Sequence, residues 1–523
     1  MNPLHQRTAG LLVPLFSIRS DRGWGIGELP DVGAIAPWAQ RAGFSVLSLL
    51  PLLEIALGQD SPYSALSAFA LDPVYLALDE LEDFGAIGGI AAMPADERAT
   101  LERLRASLSV DYGAVRALKG LWLRRAFEHF RRSVAGTRAT RARAFERFRE
   151  EQRDWLPDYS LFRALKGADP YSWWQAWPPE LKDRDARAME RAHAKHAVDC
   201  TFYEWLQWLA NGQLEAARAA AREHGVLLAG DLPFMVAEDS ADAWTRQREL
   251  RLDATVGTPP DDFSKEGQDW GLPAYRWETI AENGFDWLRQ RGRRTAEGFD
   301  LVRVDHVVGF YRTFTRPKDK SKPYFSPSRE PEQIRQGEAV LAALGEAGTA
   351  LVAEDLGTVP PFVRRSLTKL GVPGFRVLRW EKDEALFRDP ADWPKLSVGT
   401  TGTHDTDTIA RWWESLETEE RTELRKLPAF SRLGNSEALH FGEAAHEAIL
   451  DAVYSSGSNL LLLPVQDVFG LRERINLPGT LGAGNWTWRM PWTSAELLTD
   501  AGARRHTERA ARLAHASKRQ PRV

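Results

Sequence analysis

The feature that most constrains this chain is a series of short apolar runs that each end in acidic or polar residues. The six runs are FSVLSLLP (44–51), GVLLAGD (225–231), LVRVDH (301–306), ALVAEDLG (350–357), SVGTTGTHD (397–405) and NLLLLPVQD (459–467). Nearly continuous apolar runs are typical of parallel strands covered on both faces. Amphipathic segments such as 201–224 and 359–371 lie between the runs, so the sequence predicts an α/β fold with a parallel sheet.

Such a sheet is either open or closed into a barrel. Carboxylates follow four or five separate runs, as at the mouth of a barrel, whereas an open sheet gathers them at one switch point. We therefore predict a (β/α)8 TIM barrel with helical and loop insertions and no separate C-terminal β-domain. Residues 1–523 are interpreted as one catalytic domain, with a mainly helical insertion at 80–199 and an aromatic loop at 252–277 over a groove. The chain after Arg504 is predicted to fray from a helix into a disordered basic end.

Composition excludes several classes of partner. A net charge of −5 gives no general basic field, so neither nucleic acid nor an anionic membrane is an expected partner. The single cysteine, Cys200, cannot form an intrachain disulfide, and LLVPLF (11–16) is too short for a signal or a membrane span, so we expect a cytoplasmic protein. Neither metal-ligand spacing nor a phosphate-binding or dinucleotide motif is found, which predicts no metal and no cofactor.

Twenty tryptophans are the one compositional excess. Broad aromatic faces suit sugar rings, but tryptophan is also ordinary core filling, so the excess alone does not decide between the two.

The run FDLVRVDHVVGF (299–310) places Arg303 and Asp305 two residues apart. Alternate side chains of a strand share a face, so both point into the barrel, where the guanidinium favours the ionised carboxylate. That setting suits a nucleophile, although a structural ion pair explains this motif alone equally well.

Two further carboxylates follow other runs. Glu354 comes after only alanine, valine and leucine, and an apolar site raises a carboxyl pKa as a general acid requires. Its neighbour Asp355 is expected to cap the following loop. His404 and Asp405 follow a later strand, where Asp405 could hold sugar hydroxyls or, taken singly, cap a helix. One ionised and one protonated carboxyl flanking a bond are the groups that cleave glycosidic linkages, with retention if Asp305 is the nucleophile.

The ordered motifs of the chain resemble those of 4-α-glucanotransferases, the amylomaltase or disproportionating enzymes of glycoside hydrolase family 77 in the α-amylase clan. The motifs are SPYSALSAFALDP (61–73), GDLPFMVAEDSADAW (230–244), TPPDDFSKEGQDWGLPAY (258–275), FDLVRVDHVVGF (299–310), AEDLG (353–357), TGTHDTDT (401–408) and LPGTLGAGNWTWRM (477–490). The chain departs from the family pattern at Thr406, where the family has asparagine, and at Asp262 and Leu272.

The resemblance implies a role for each matching residue. Asp305 would be the nucleophile, Glu354 the acid/base and Asp405 the stabiliser of the transition state. The residues implied to bind substrate are Arg303, which holds Asp305, together with His404, Asp231, Tyr63, Phe263, Trp270 and Asn476.

The implied reaction transfers a segment of an α-1,4-glucan to the 4-hydroxyl of an acceptor glucose or glucan by a retaining double displacement. The expected partners are maltooligosaccharides, starch- or glycogen-derived dextrins and glucose. Two alternatives remain at this stage, an α-amylase-like retaining hydrolase and a non-catalytic glucan-binding protein.

Overall fold

The computed structural model of the protein describes residues 3–56, 58–260, 267–384, 386–434, 439–480, 482 and 484–521. Within these residues, eight parallel strands close into a barrel in which each strand pairs with the next one in sequence and the last pairs with the first. The barrel strands are β1 (Thr8–Leu12), β2 (Val46–Ser48), β3 (Leu227–Leu232), β4 (Leu301–Val304), β5 (Ala350–Ala353), β6 (Gly374–Val377), β7 (Ser397–Thr400) and β8 (Leu460–Pro464). The predicted (β/α)8 fold is thereby confirmed.

Each of the six predicted runs coincides with one barrel strand, although most of the strands end before the acidic residues of the run. Asp231 is the exception, since it lies inside β3. The sequence did not reveal β1 and β6. The β6 sequence, GFRV, carries a glycine and an arginine in four residues, so it lacks the continuous apolar character of a strand buried on both faces.

Aliphatic and aromatic side chains from successive strands fill the barrel interior. The cluster consists of Val46, Ala229, Leu301, Val352, Phe375, Val398, Leu460 and Leu462 from the strands, together with Leu4, which precedes β1. Because side chains alternate along a strand, Asp231 shares the inward face of Ala229, and Arg303 shares that of Leu301. The interior packing therefore aims both polar side chains along the barrel axis, above the apolar layer.

Helices cover the outside of the barrel and fill the long connection between β2 and β3. The longer helices are Asp31–Arg41, Ala95–Ala106, Tyr112–Ser133, Thr140–Glu151, Leu156–Ala168, Ala186–Lys195, Ala197–Glu223, Asp286–Gly298, Glu330–Gly345, Pro361–Leu370, Ile409–Ser415, Thr418–Leu424, Glu443–Tyr454 and Ala501–Ala516. Shorter ones are Glu82–Ala86, Pro179–Lys182, Ala241–Thr245, Trp277–Glu282, Val307–Tyr311, Val465–Phe469 and Glu496–Thr499. Among the helices described, none is both long enough and apolar enough to cross a bilayer.

The aromatic segment at 252–277 was predicted to be a loop, and that is wrong for most of its described residues. Leu250–Thr258 and Gln268–Tyr275 form antiparallel strands of a four-stranded sheet completed by Thr313–Pro317 and Tyr324–Ser326. Register shifts along this pair interrupt the alternation of apolar and polar side chains, so the sequence lacks the usual strand pattern. Pro273 is tolerated because its strand lies at the edge of the sheet. A separate two-stranded ribbon joins Lys382–Asp383 to Leu386–Phe387.

The expected disordered basic end is also contradicted. After the helix Ala501–Ala516 the chain turns back, and Arg519 is fully buried. Its guanidinium donates hydrogen bonds to the carbonyls of four residues next to β8, which are Tyr454, Ser456, Ser458 and Asn459. The tail is thereby fixed against the bottom of the barrel.

Candidate active site

The polar residues singled out in the sequence meet at the carboxyl ends of four barrel strands. Asp231 lies in β3, Arg303 in β4, and Asp305 and Glu354 follow β4 and β5 directly. His404 and Asp405 come from the loop after β7. This end of a (β/α)8 barrel is where loops from separate strands converge, so residues far apart in sequence share one cleft.

Arg303 connects the three carboxylates nearest to it. Its Nη1 lies 2.9 and 2.8 Å from the two carboxylate oxygens of Asp231 and 2.9 Å from Oδ1 of Asp305. Its Nη2 lies 3.9 Å from Oε2 of Glu354. The carboxyls of Asp305 and Glu354 therefore reach one guanidinium and face a common space, as the sequence predicted.

Glu354 is held in place by backbone donors. Its Oε2 accepts a hydrogen bond of 2.8 Å from the N–H of His306, and its Oε1 accepts one of 3.0 Å from the N–H of Leu356. Burial raises the pKa of Glu354 to about 7, because desolvation outweighs the opposing charge of Arg303. The carboxyl can therefore carry a proton near neutral pH, as a general acid must.

Asp305 is the more accessible carboxylate of the Arg303 group. Its side chain is 20% exposed, against 2% for Asp231. Its Oδ2 accepts a hydrogen bond of 3.4 Å from the N–H of Phe234, while Oδ1 faces the guanidinium. The carboxylate is thus oriented by two donors and remains open to the cleft.

Asp405 is positioned by side chains from two loops. Asn476 donates from Nδ2 to its Oδ1 over 2.7 Å, and His404 Nε2 lies 3.3 Å from its Oδ2. Burial by itself would raise the pKa of Asp405, but the charge of His404 and the hydrogen bonds from His404 and Asn476 lower it to about 2. Asp405 is therefore an anion throughout the neutral range. It does not cap the next helix, because the N-cap there is Thr408.

Asp231 and His404 are joined by Tyr63. The Tyr63 hydroxyl donates to Oδ2 of Asp231 over 2.8 Å, and the tyrosine ring stacks on the His404 ring with 5.3 Å between centroids. Burial raises the pKa of Asp231 against the opposing charge of Arg303, and the adjacent Asp405 raises that of His404 although burial opposes it. These three side chains form one wall of the cleft.

Trp270 forms part of another wall. It lies on the strand Gln268–Tyr275, and its ring packs edge-to-face on His306 with 4.7 Å between centroids. The antiparallel sheet thus reaches the residue beside Asp305. Phe263, which was also assigned to the groove, lies outside the described residues.

Besides Leu356, sequence reasoning missed three residues that support the carboxylates. His306 and Phe234 supply the backbone donors to Glu354 and Asp305, and His306 adopts the left-handed conformation, with φ +44°. Arg474 donates to the carbonyls of Asp405 and Asn476 over 2.8 and 3.1 Å. The first two lie inside recognised motifs, whereas nothing in the sequence marks Arg474.

Two local expectations need correction or refinement. Asp355 does not cap the loop after β5, because its Oδ1 accepts a hydrogen bond of 2.6 Å from the N–H of Phe375 in β6. Thr406, which replaces the asparagine of the family pattern, bonds within its own turn: its hydroxyl donates to the Thr403 carbonyl and accepts from the Thr403 N–H, both over 3.0 Å. Neither residue contacts the carboxylates of Asp305 or Glu354 in these bonds.

Comparisons with known proteins agree with this geometry. A family model described as 4-alpha-glucanotransferase, glycoside hydrolase family 77, matches residues 13–495. The 4-alpha-glucanotransferase of Chlamydia pneumoniae is 33% identical over 500 residues, covering 93% of this chain and 92% of its own. That of Thermus thermophilus is 33% identical over 511 residues, covering 95% of this chain and 97% of its own.

Two solved structures have a similar fold. An amylomaltase from Streptococcus agalactiae in complex with acarbose superposes with a TM-score of 0.84 at 25% identity, covering 98% of this chain and all of that one. An amylomaltase from Corynebacterium glutamicum, at 23% identity and a TM-score of 0.79 over 97% of this chain and 76% of its own, shares the fold. On the family match and the full-length relatives, this chain belongs to the 4-α-glucanotransferases of glycoside hydrolase family 77.

Proposed function

We propose that the chain performs its 4-α-glucanotransferase reaction by a double displacement at Asp305 and Glu354. An α-1,4-glucan binds across the cleft, and Glu354 gives its proton to the O4 atom of the leaving segment. The bond between that oxygen and C1 breaks while an Asp305 oxygen bonds to C1, which forms a covalent glycosyl ester. Asp405, ionised at neutral pH, stabilises the positive charge that develops on the sugar ring.

The second half of the reaction reverses these roles. The 4-hydroxyl of an acceptor glucose or glucan attacks C1, and its proton passes to the Glu354 carboxylate. The Asp305 ester bond breaks, so the configuration at C1 is retained overall and Glu354 is again protonated.

The observation that carries this proposal is the difference between two carboxyls that share Arg303. Asp305 lies 2.9 Å from the guanidinium, whereas Glu354 lies 3.9 Å away and burial raises its pKa to about 7. One carboxyl is therefore suited to attack and the other to carry a proton. A protein that only bound glucan would not need this difference.

The remaining residues are proposed to bind sugar. Asp231 and His404 would hold hydroxyls of the sugar at the cleavage point, with Arg303 keeping Asp305 in place. Tyr63, Trp270 and Asn476 would line the groove on either side, and the family resemblance supports the same role for Phe263. Acarbose in the similar amylomaltase from Streptococcus agalactiae supports α-1,4-glucans as the ligand class. We further propose that residues 1–523 act as one catalytic domain.

Product analysis with maltotriose tests the reaction. A transferase produces glucose together with maltooligosaccharides longer than maltotriose, while the total concentration of reducing ends stays constant. Shorter sugars without longer ones, accompanied by a rise in reducing ends, would identify a hydrolase instead.

An isosteric variant tests the role of Asp305. Asp305→Asn is expected to lose at least about four orders of magnitude in transfer while glucan binding is retained. Asp183→Asn, which alters a carboxylate that is 65% exposed in the helical region, serves as the matched control and should be as active as the parent.

A further inference from the structure

Most of the tryptophan side chains lie in the hydrophobic core. All twenty tryptophans lie in the described part of the chain, and among them Trp173 and Trp380 are the most exposed, at 52% and 43%. Tyr171, two residues before Trp173, is 89% exposed. Large aromatic side chains that are exposed close together are suited to form a binding surface. We call Tyr171 and Trp173 the aromatic pair.

The turn that carries the aromatic pair is firmly anchored. Lys166 is buried, donates to the Ser172 carbonyl over 2.8 Å and forms an ion pair of 2.7 Å with Asp239. Trp174 is 1% exposed, and its indole N–H donates to the carbonyl of Glu238 over 2.9 Å. A turn held between these bonds presents its side chains at little cost in conformational entropy, as a preformed binding surface requires.

The anchors belong to the segment that leads out of the active site. Residues 233–240 follow β3, and the Phe234 N–H in this segment contacts Asp305. Four residues of chain span at most about 14 Å, which limits the distance between Phe234 and Glu238. The Ala237 N–H also donates to Ala65, two residues from Tyr63. The turn that carries the aromatic pair is therefore anchored on a segment whose first residues contact the catalytic site.

A second connection runs to the antiparallel sheet. Lys318 directly follows the strand Thr313–Pro317 and forms an ion pair of 2.7 Å with Glu238. The same sheet carries Trp270 beside His306. Glu238 thus contacts both Trp174, next to the aromatic pair, and Lys318, next to the antiparallel sheet. It lies in the segment 233–240, which begins beside Asp305.

We propose that Tyr171 and Trp173 form an outlying subsite that binds a glucan chain whose other end occupies the cleft. Flat amphipathic rings suit the apolar faces of glucose units, and a neutral polymer needs no charged partner. The inference rests on the proposed function, because only a long glucan held in the cleft can also reach this surface. Short substrates would not contact it.

The test compares a long and a short donor on the same proteins. Tyr171→Ala/Trp173→Ala is expected to raise KM for amylose roughly tenfold with kcat unchanged, since each aromatic contact contributes modestly. KM and kcat for maltotriose should equal those of the parent. Phenylalanine at both positions should restore most of the amylose affinity, because the ring faces are kept.

Leu370→Ala is the matched control. Leu370 is a 39% exposed apolar residue that ends the helix Pro361–Leu370, which leads into β6 at the opposite end of the barrel. The control should leave both KM values unchanged. An unchanged KM for amylose in the double variant would overturn the proposal. If the double variant instead changes its oligomeric state on size-exclusion chromatography while its KM for amylose is unchanged, the aromatic pair is a self-association surface and the proposal is wrong. Failure of the parent to disproportionate maltotriose would refute the proposed function instead.

Discussion

At the scale of single residues, the site depends on environments that make similar carboxyls behave differently. Glu354 is buried and receives two backbone hydrogen bonds, whereas Asp405 is bound by His404 and Asn476. Burial dominates at Glu354 and raises its pKa to about 7, whereas the charge and hydrogen bonds of its partners dominate at Asp405 and lower its pKa to about 2. The same residue chemistry thereby supplies an acid and a permanent anion.

The pKa of Glu354 predicts the alkaline limb of the pH profile. Formation of the glycosyl ester needs protonated Glu354, and the protonated fraction falls as pH rises through about 7. The kcat/KM for maltotriose should therefore decrease about tenfold per pH unit on the alkaline side. In Glu354→Gln, assayed with a glycosyl fluoride that needs no acid, this limb should disappear. A limb that persists there would assign it to another group.

Arg474 is predicted to act as a positioning residue. It bonds to the carbonyls of Asp405 and Asn476 and forms an ion pair of 2.8 Å with Asp407. Arg474→Met should lower kcat roughly 10- to 100-fold with little change in KM, since small displacements of a catalytic group cost this much. Asp407→Asn breaks only the ion pair and should retain most activity. Equal kcat values in the two variants, measured by disproportionation of maltotriose, would contradict this role.

At the scale of elements, the antiparallel sheet brings aromatic cover to a site otherwise built from barrel loops. Trp270 reaches His306 from the strand Gln268–Tyr275, and Phe234 packs against the same histidine with 5.4 Å between centroids. Transfer competes with hydrolysis only if water is kept from the glycosyl ester. We therefore expect the sheet to affect the ratio of transfer to hydrolysis more than the rate at which the glycosidic bond breaks.

Trp270→Ala is predicted to shift the enzyme toward hydrolysis. Losing the indole opens the cleft beside Asp305, so the ratio of transfer to hydrolysis should fall several-fold while total donor consumption changes less. The ratio is measured from longer products against new reducing ends. Asp253→Asn, which changes a 67% exposed carboxylate on the partner strand, should preserve the parent's ratio. An unchanged ratio in Trp270→Ala would show that the indole does not exclude water.

The sequence predicted barrel strands where burial on both faces leaves an unbroken apolar run, and it placed Asp305 and Glu354 at the correct ends of β4 and β5. Prediction from the sequence failed where a structure depends on contacts between segments that are distant along the chain. The strands of 252–277 contain one proline, two glycines and register shifts, so their pairing is decided by partners elsewhere in the chain. Arg474 and Arg519 bond mainly to backbone carbonyls, and a carbonyl acceptor carries no residue-specific signature.

At the scale of the whole molecule, the segments around Arg7 and Arg519 lie together where the barrel closes. β1 pairs with β8, and Arg519 binds carbonyls of the segment 454–459 that leads into β8. Arg7, next to β1, donates to carbonyls of Tyr454, Ser456 and Ser517. Arg7 and Arg519 therefore stabilise the pairing of the first and last strands at the end of the barrel opposite the carboxylates.

Arg519→Met is predicted to destabilise the fold without affecting catalysis. The substitution removes the hydrogen bonds that the buried guanidinium donates to four carbonyls, which should lower the free energy of unfolding by about 3 kcal/mol. The melting temperature should fall, while kcat for maltotriose at 25 °C stays that of the parent. Arg504→Ala, at a 52% exposed arginine in the helix Ala501–Ala516, should melt like the parent. Equal melting of Arg519→Met and the parent would show that the tail is not structurally important.

The central claim, that Asp305 forms the glycosyl ester and Glu354 serves as its acid and base, is tested most directly by trapping. Glu354→Gln is incubated with an α-maltosyl fluoride, whose leaving group needs no proton, so the ester forms but no base activates the acceptor. Mass spectrometry of the digested protein should find the maltosyl mass on the peptide containing Asp305. A label on another residue, or turnover without a label and with inverted configuration at C1, would contradict the account.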